Sequence, residues 1–222
     1  MLKEKQTFVI IGGTSGIGEA VANNFLGDDN IVHVASRSTG LDISDEKQVC
    51  AYFESISAFD HLIITAGSYA PAGKVIDVDI ADAKAAFDTK FWGTINAAKH
   101  AARFIKPTGS ITITTGMLSR KVVANTYTKT AINAALEAVT KVLAKELSPV
   151  RVNAISPGLT MTAAYKSMDE TNRDAMFTNA ASNLPAGKVG EASDIAMAYS
   201  LAINNKYMTG SIIDVDGGAL VN

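Results

Sequence analysis

The glycine-rich stretch FVIIGGTSGIGEA, from Phe8 to Ala20, decides the fold of this chain. It passes from an apolar run of strand length, through a turn with four glycines, into a segment with helical spacing. Gly12 permits a tight turn, Gly16 lets backbone approach a pyrophosphate closely, and Gly18 lets the helix pack on the strand. The free N–H groups at the start of the helix attract phosphate. The stretch therefore predicts a strand–loop–helix unit that holds a dinucleotide.

The rest of the chain alternates apolar runs with segments of helical period. The predicted strands are TFVIIGG, NIVHVASR, FDHLIITAG, GSITITTG, VRVNAISPG and TGSIIDVDGG. The predicted helices are GIGEAVANNFLG, EKQVCAYFESI with Ser44 as its cap, IADAKAAFDTKFWGTINAAKHAARFI stopped by Pro107, Thr130 to Leu147, and EASDIAMAYSLAI. Because the strands are continuously apolar, helices should cover both faces of the sheet. The pattern predicts an α/β fold with a doubly wound parallel sheet, in a single domain over residues 1–222.

The chain is unusually short after the second predicted strand. Only STGL lies between Arg37 and Asp42, whereas a crossover with its own helix needs a dozen or more residues. We therefore expect the sheet to be shortened there, with at most a minimal strand around Leu41 to Ile43.

Composition narrows the range of functions. The chain has 222 residues, a net charge of −2 and no long charge run, which gives no reason to expect nucleic acid or a membrane surface as a partner. A single cysteine, Cys50, cannot form an internal disulfide and favours a reducing compartment. The apolar run FVII is too short for a membrane span. These features predict a soluble cytoplasmic protein, and the sequence shows no metal-ligand cluster.

The motifs together resemble the short-chain dehydrogenase/reductase family. The spacing G-x-x-x-G-I-G is followed in order by LDIS, ITAG, RVNAISPG and TGSIIDVDGG, so the resemblance covers essentially the whole chain. It implies a Rossmann-like fold, a nicotinamide dinucleotide and hydride transfer to or from a small-molecule substrate. It also implies a substrate lid at about 160–190 and a homodimer or homotetramer formed through the two long helices.

The residues after the second strand predict which dinucleotide is bound. A carboxylate there would hold the ribose hydroxyls of NAD, but the sequence reads Ser36 and Arg37 and has no acid before Asp42. A guanidinium can pair with a 2′-phosphate, which a carboxylate would repel. We therefore expect NADP(H), with Thr14 and Ser15 as further donors.

By the resemblance, further positions surround the cofactor. Asp42 and Ile43 border the adenine, and Ala66 and Gly67 lie along the adenosine ribose. The remaining expected cofactor-binding residues are Ile17, Lys90, Thr114, Lys129, Pro157, Gly158, Leu159, Thr160 and Thr162.

The stretch NTYTKTAIN, residues 125–133, carries a tyrosine and a lysine two positions apart. The family's tyrosine and lysine stand four apart, because only such positions share a helix face. Tyr127 and Lys129 therefore point in nearly opposite directions and cannot act as that pair. We expect Tyr127 to be a helix-entry or wall residue.

The helix that follows sets a different register. KTAINAALEAVTKVLAKEL is similar to the family's helix without a gap, which puts Lys129 at the tyrosine position and Asn133 at the lysine position. Thirteen residues before Lys129, Gly116 takes the serine position. FDTKFWGT puts Lys90 at the asparagine position. The resemblance thus implies that all four catalytic side chains of the family are replaced.

The replacements suggest new roles. Lys90 and Lys129 would repel each other near the nicotinamide, so at least one pKa should fall, and Lys129 becomes the expected proton donor. Asn133 could hold the ribose, and Thr115 could supply the hydroxyl that Gly116 lacks. The predicted function is an atypical NADPH-dependent oxidoreductase. The alternative is a non-catalytic NADP(H)-binding protein, in which both lysines pair with phosphates, acids or water.

Overall fold

The computed structural model describes residues 5–27, 29–67 and 70–222. The strands of the main sheet are β1 (Thr7–Ile11), β2 (Ile31–Ala35), β3 (Phe59–Ile64), β4 (Ile105–Thr114), β5 (Arg151–Pro157) and β8 (Ile212–Val215), and a small second sheet holds β6 (Thr160–Met161) and β7 (Gly190–Glu191). The main sheet has the order β2-β1-β3-β4-β5-β8, and every pair is parallel. The order steps outward from β1 in both directions, which makes the sheet doubly wound and confirms the predicted Rossmann-like α/β class.

The described part of the chain contains seven α-helices. They are α1 (Gly16–Phe25), α2 (Glu46–Ser55), α3 (Ile80–Phe87), α4 (Gly93–Ala101), α5 (Tyr127–Glu146), α6 (Glu170–Asn183) and α7 (Ala192–Asn204). A π-helical turn, Asp88–Trp92, joins α3 to α4.

Each face of the sheet has its own apolar layer. Val9 and Leu62 face one layer, where α2, α4 and α5 pack and Phe53 and Leu136 are fully buried. The intervening side chains face the other layer, which α1 and α7 cover. Successive strand residues point to opposite faces, so strands covered on both sides must be apolar throughout. This is the physical reason for the continuous apolar runs in the sequence.

The shortened edge differs in detail from the prediction. A 3₁₀ turn, Arg37–Thr39, follows β2 and ends at Gly40 with φ +92°. Leu41 and Ile43 form no strand among the described residues. They are 5% and 4% exposed and pack into the layer with α2 instead of pairing with β2. In that part of the chain β2 is therefore the edge of the sheet.

Three predicted helix boundaries are wrong. Asp45, not Ser44, caps α2, since its carboxylate accepts from the N–H groups of Lys47 at 2.9 Å and Gln48 at 3.2 Å. The long helix is broken by the π turn and ends at Ala101. The chain then enters β4 at Ile105, and an irregularity in the β3–β4 register takes up Pro107, which has no N–H to donate. Helix α5 begins at Tyr127, three residues earlier than expected.

Candidate cofactor and catalytic site

The glycine loop after β1 is shaped by close contacts. Gly12 and Gly16 have φ of +93° and +57°, a region that favours glycine. A Cβ on Gly12 would lie 2.5 Å from the backbone nitrogen of Ala66, and one on Gly18 would lie 2.2 Å from the carbonyl oxygen of Gly12. Ser15 precedes α1 without a side-chain cap, which leaves the first N–H groups of the helix for a ligand. The loop thus forms a cradle for phosphate.

The cradle opens into a cleft of about 810 Å³ at the carboxyl ends of β1, β2 and β3. Such a cleft, where strand order reverses beside β1, is the usual ligand position in an open parallel sheet. The predicted residues that line it are Gly12, Thr14, Ser15, Gly16, Ile17, Gly18, Ser36, Arg37, Asp42, Ile43, Ala66, Gly67, Lys129 and Thr162. The glycine cradle, the free helix terminus and the size of the cleft fit a dinucleotide.

The other predicted cofactor residues do not line this cleft. They are Lys90, Thr114, Pro157, Gly158, Leu159 and Thr160. The hydroxyl of Thr114 donates to the carbonyl of Ile64 at 2.7 Å, and that of Thr160 donates to the carbonyl of Gly158 at 3.0 Å. A Cβ on Gly158 would meet the Cα of Asp216 at 2.6 Å, so this glycine permits close packing next to β8.

Sequence reasoning missed several residues of the cleft. They are Ile11, Ser38, Leu41, Thr65, Ala70, Thr89, Ala163, Ala164 and Tyr165. Thr65 lies inside the ITAG motif and Ser38 follows Arg37, so their neighbours in sequence were a signal. Tyr165 lies in the segment predicted as a substrate lid, though it was not expected among the cofactor-binding residues.

The turn that contains Arg37 carries a positive charge that no ion pair holds in the described part of the chain. Arg37 is exposed, and it makes no ion pair within residues 5–27, 29–67 and 70–222. The nearby carboxylate of Asp42 accepts from the hydroxyl and the N–H of Ser44 at 2.6 and 2.9 Å. These hydrogen bonds, followed by the charge of Arg37, hold the pKa of Asp42 below its usual value. Arg37 is left for a ligand anion.

The two lysines take different positions. Lys129, in the first turn of α5, is exposed in the cleft. Lys90, in the π turn, is partly buried, and its Nζ donates to Asn133 Oδ1 at 2.7 Å and to the carbonyl oxygen of Thr115 at 3.2 Å. Burial, and then the charge of Lys129, lower the pKa of Lys90 to about 8. The lysine with the lowered pKa is therefore Lys90.

The expectation for Thr115 needs correction. Its hydroxyl is buried and donates to the carbonyl of Ile155 at 3.2 Å and to Glu137 at 3.5 Å, so it does not face the cleft. Asn133, one turn after Lys129 on α5, is the side chain that lies over Gly116. A Cβ on Gly116 would lie 2.9 Å from Asn133 Nδ2.

Tyr127 lies away from the cleft, as its position on the helix predicted. It lines a separate pocket of about 360 Å³ with Leu118 and Val123. Its hydroxyl is enclosed and has no hydrogen-bond partner in the described part of the chain.

The described residues contain neither a group of metal ligands nor a helix that could span a membrane. No group of three or more His, Cys, Asp or Glu side chains is placed to hold a metal ion in that part of the chain. None of the helices described there is long and apolar enough to cross a membrane. The buried histidines have structural partners: His61 bonds to Ser110 at 2.9 Å, and His100 bonds to Glu46 at 3.1 Å.

Known proteins match the chain along its length. A family profile described as enoyl-(acyl carrier protein) reductase matches residues 31–219. A short-chain dehydrogenase/reductase of Stachybotrys chlorohalonatus, ATR9, is 32% identical over 97% of each chain. A 3alpha-hydroxysteroid dehydrogenase of Mediterraneibacter gnavus is 29% identical over 99% of this chain and 98% of that protein.

A solved structure is more similar still. The crystal structure of a small-chain dehydrogenase in complex with NADPH superposes with a TM-score of 0.97 at 69% identity, over 99% of this chain and 100% of that one. Together with the parallel sheet and the glycine cradle at its switch point, these matches identify the chain as a member of the short-chain dehydrogenase/reductase family.

Proposed function

We propose that the protein is an NADPH-dependent oxidoreductase that transfers a hydride between nicotinamide and a carbonyl-type substrate. The observation that carries this is the cleft, in which a glycine cradle and the unpaired Arg37 match a dinucleotide with a 2′-phosphate. A protein that is 69% identical to this chain was crystallised in complex with NADPH, which supports the same cofactor here. When bound, NADPH supplies a hydride from nicotinamide C4 to the substrate's carbonyl carbon, which leaves an alkoxide on oxygen.

Lys129 is the proposed proton donor. It is the lysine whose side chain lines the cleft, and by the resemblance of the sequence it stands in α5 at the family's tyrosine position. An ammonium group held over a developing alkoxide can both stabilise the charge and deliver the proton. Lys90, which bonds to Asn133 on the same helix, places a second positive charge close enough to interact with Lys129.

The segment at about 160–190 is proposed as the substrate lid. Thr162 and Tyr165 line the cleft, and the ring of Tyr165 packs edge-on against Phe177 in α6 at 5.4 Å. In the same segment, Met161 and Met168 are 40% and 39% exposed. Flexible thioethers and an aromatic pair suit an apolar substrate of variable shape.

A non-catalytic NADP(H)-binding role is the second candidate. The replacement of all four family side chains favours it, because the cofactor cleft would persist without chemistry. We also propose that the protein works as a homo-oligomer in the cytoplasm, where a free Cys50 stays reduced.

One experiment separates the two functions. The protein is screened with NADPH against a panel of aldehydes, ketones and quinones, alongside Lys129→Met and the control Lys141→Met, which removes an exposed lysine further along α5. We expect turnover by wild type and by Lys141→Met. Lys129→Met should lose at least about 100-fold in kcat, the size expected for loss of a general acid. Tight NADPH binding without turnover of any acceptor would favour the non-catalytic role.

A further inference from the structure

In the described residues, the side-chain amide of Asn133 forms a hydrogen bond through its oxygen but not through its nitrogen. Asn133 is 5% exposed, and its Oδ1 accepts from Lys90 at 2.7 Å. Its Nδ2 has no acceptor among the hydrogen bonds of residues 5–27, 29–67 and 70–222. Nδ2 is not fully enclosed, unlike the hydroxyl of Tyr127. A donor one helical turn after Lys129, which lines the cleft, is thus left for a ligand.

Lys90 fixes which end of the amide is offered. An ammonium has no acceptor, so the atom that faces it must be the amide oxygen, and the nitrogen must point the other way. Lys90 is itself anchored by the carbonyl oxygen of Thr115 at 3.2 Å. The π turn, a feature often found at functional sites, brings Lys90 to α5.

Gly116 provides the space that the amide nitrogen occupies. A Cβ at Gly116 would stand 2.9 Å from Asn133 Nδ2, closer than a real side chain tolerates. The donor of Asn133 therefore stands where a side chain on residue 116 would project. Lys90, Asn133 and Gly116 depend on one another: the first orients the amide, the second carries the donor, and the third leaves it room.

The hydroxyl groups close to Gly116 are already engaged. Thr115 donates to Ile155 and Glu137. Ser119 is 2.5 Å from Glu137 Oε1 and 3.1 Å from the carbonyl of Gly116. Neither can turn to a substrate without breaking a hydrogen bond that is buried for Thr115 and partly buried for Ser119.

We propose that Asn133 Nδ2 is the hydrogen-bond donor to the substrate's carbonyl oxygen, and that Lys90 is the positioning residue that orients it. The inference rests on the proposed oxidoreductase function and deepens it. As the hydride forms the new C–H bond, the electron pair of the carbonyl π bond moves to the oxygen. Asn133 stabilises the negative oxygen by donating a hydrogen bond from its N–H. Lys129 transfers its ammonium proton to that oxygen, and the neutral amine regains a proton from water. The carbonyl is reduced, and NADPH is oxidised to NADP⁺.

The variant Asn133→Asp tests the donor, because it keeps an oxygen for Lys90 and removes the N–H. With 4-nitrobenzaldehyde as an activated carbonyl probe, we expect kcat to fall at least about 100-fold, the usual effect of losing one oxyanion donor. The dissociation constant for NADPH, from fluorescence titration, should stay within about threefold. The control Asn24→Leu, exposed on α1, should match wild type. Weakened NADPH binding with kcat nearly unchanged would overturn the proposal and give Asn133 the ribose instead.

Lys90 is tested by its own pair of variants. Lys90→Met frees the amide to rotate, so we expect kcat to fall about tenfold with KM for NADPH unchanged. Lys90→Arg keeps a donor to Asn133 Oδ1 and should recover part of that loss. If Lys90→Arg is as slow as Lys90→Met while both melt like wild type, Lys90 does not act through the amide.

A third measurement does not depend on turnover. In protein labelled with ¹⁵N-asparagine and saturated with NADP⁺, benzoate serves as a stable planar oxyanion probe. We expect benzoate to shift the side-chain NH₂ signals of Asn133 in wild type, and to shift them less in Lys90→Met. Shifts without turnover of any carbonyl would support the donor while refuting the oxidoreductase. Signals that stay unmoved up to saturating benzoate would refute the donor itself.

Discussion

Arg37 is a residue whose loss should affect one cofactor and not the other. Its guanidinium makes no ion pair with any described residue, so its removal breaks none in that part of the chain. A charge-assisted hydrogen bond contributes roughly 1.5–3 kcal/mol. Arg37→Gln should therefore weaken NADPH binding by roughly 10- to 100-fold and leave NADH within about twofold. Parallel fluorescence titrations measure both, with Arg103→Gln, an exposed arginine after α4, as control. An equal loss for both cofactors would contradict a 2′-phosphate contact.

Gly116 is a residue where restoring the family's serine should do harm. The added Cβ meets Asn133 Nδ2 at 2.9 Å, and the end of a side chain can shift where backbone cannot. Gly116→Ser should therefore fold with a melting temperature near that of wild type and lose roughly tenfold in kcat as the amide is displaced. Gly18→Ala offers a contrast, because its Cβ meets the carbonyl of Gly12 at 2.2 Å, and it should lose NADPH binding. A faster Gly116→Ser enzyme would show that the serine hydroxyl, rather than Asn133, is what the site needs.

The sequence predicted which residues form the site better than it predicted the direction in which their side chains point. The glycines of the cradle were predictable because strand, turn and helix are adjacent in the chain, and Arg37 because its strand precedes it. The hydroxyl of Thr115 was expected in the cleft but turns to Ile155 and Glu137. The orientation of Asn133 depends on Lys90, 43 positions away. Rotamers are set by tertiary partners that no local pattern reveals.

The contact between the π turn and α5 predicts a pH-dependent stability. In the folded protein the pKa of Lys90 is about 8, against an ordinary value of 10.5, so folding disfavours its charged form. Below about pH 8 both states hold the proton and the full penalty applies. Between about 8 and 10.5 the unfolded chain binds more protons, so the free energy of unfolding rises with pH by on the order of 1–3 kcal/mol. Lys90→Met should lack this rise in urea titrations at pH 7, 9 and 10. Parallel curves for the two proteins would contradict it.

The sequence predicted the positions of the strands and helices better than it predicted the residues at which they begin and end. Strand and helix periods located every strand of the main sheet, because buried parallel strands leave long apolar runs. The break at Asp88–Trp92 was missed, since a π turn keeps a nearly helical pattern in the sequence. The cap of α2 was misplaced by one residue because Ser44 and Asp45 are both good caps, and Ser44 is occupied with Asp42.

At the scale of the whole molecule, the length of the chain predicted that part of the usual sheet would be missing. The alignment with ATR9 runs over 251 positions although this chain has 222 residues, as expected if the relative carries segments that this chain lacks. The short link after β2 predicted that shortening, and the structure replaces the missing crossover with one 3₁₀ turn. The cofactor cleft persists because the loops after β1 and β3 still form its walls, and the shortened link itself contributes Arg37 and Asp42.

The outer faces of the helices predict how whole molecules associate. Ile80, Trp92 and Val142 are 57%, 53% and 49% exposed on the α3–α4 and α5 side, an arrangement costly in water unless another surface covers it. Light scattering should give at least twice the chain mass of 23.3 kDa. Trp92→Glu would place a charge in that interface and should lower the mass to that of the single chain. Leu26→Glu, which alters an exposed leucine after α1, should leave the assembly intact. A wild-type monomer, or a Trp92→Glu protein of unchanged mass, would exclude this helical face as the interface.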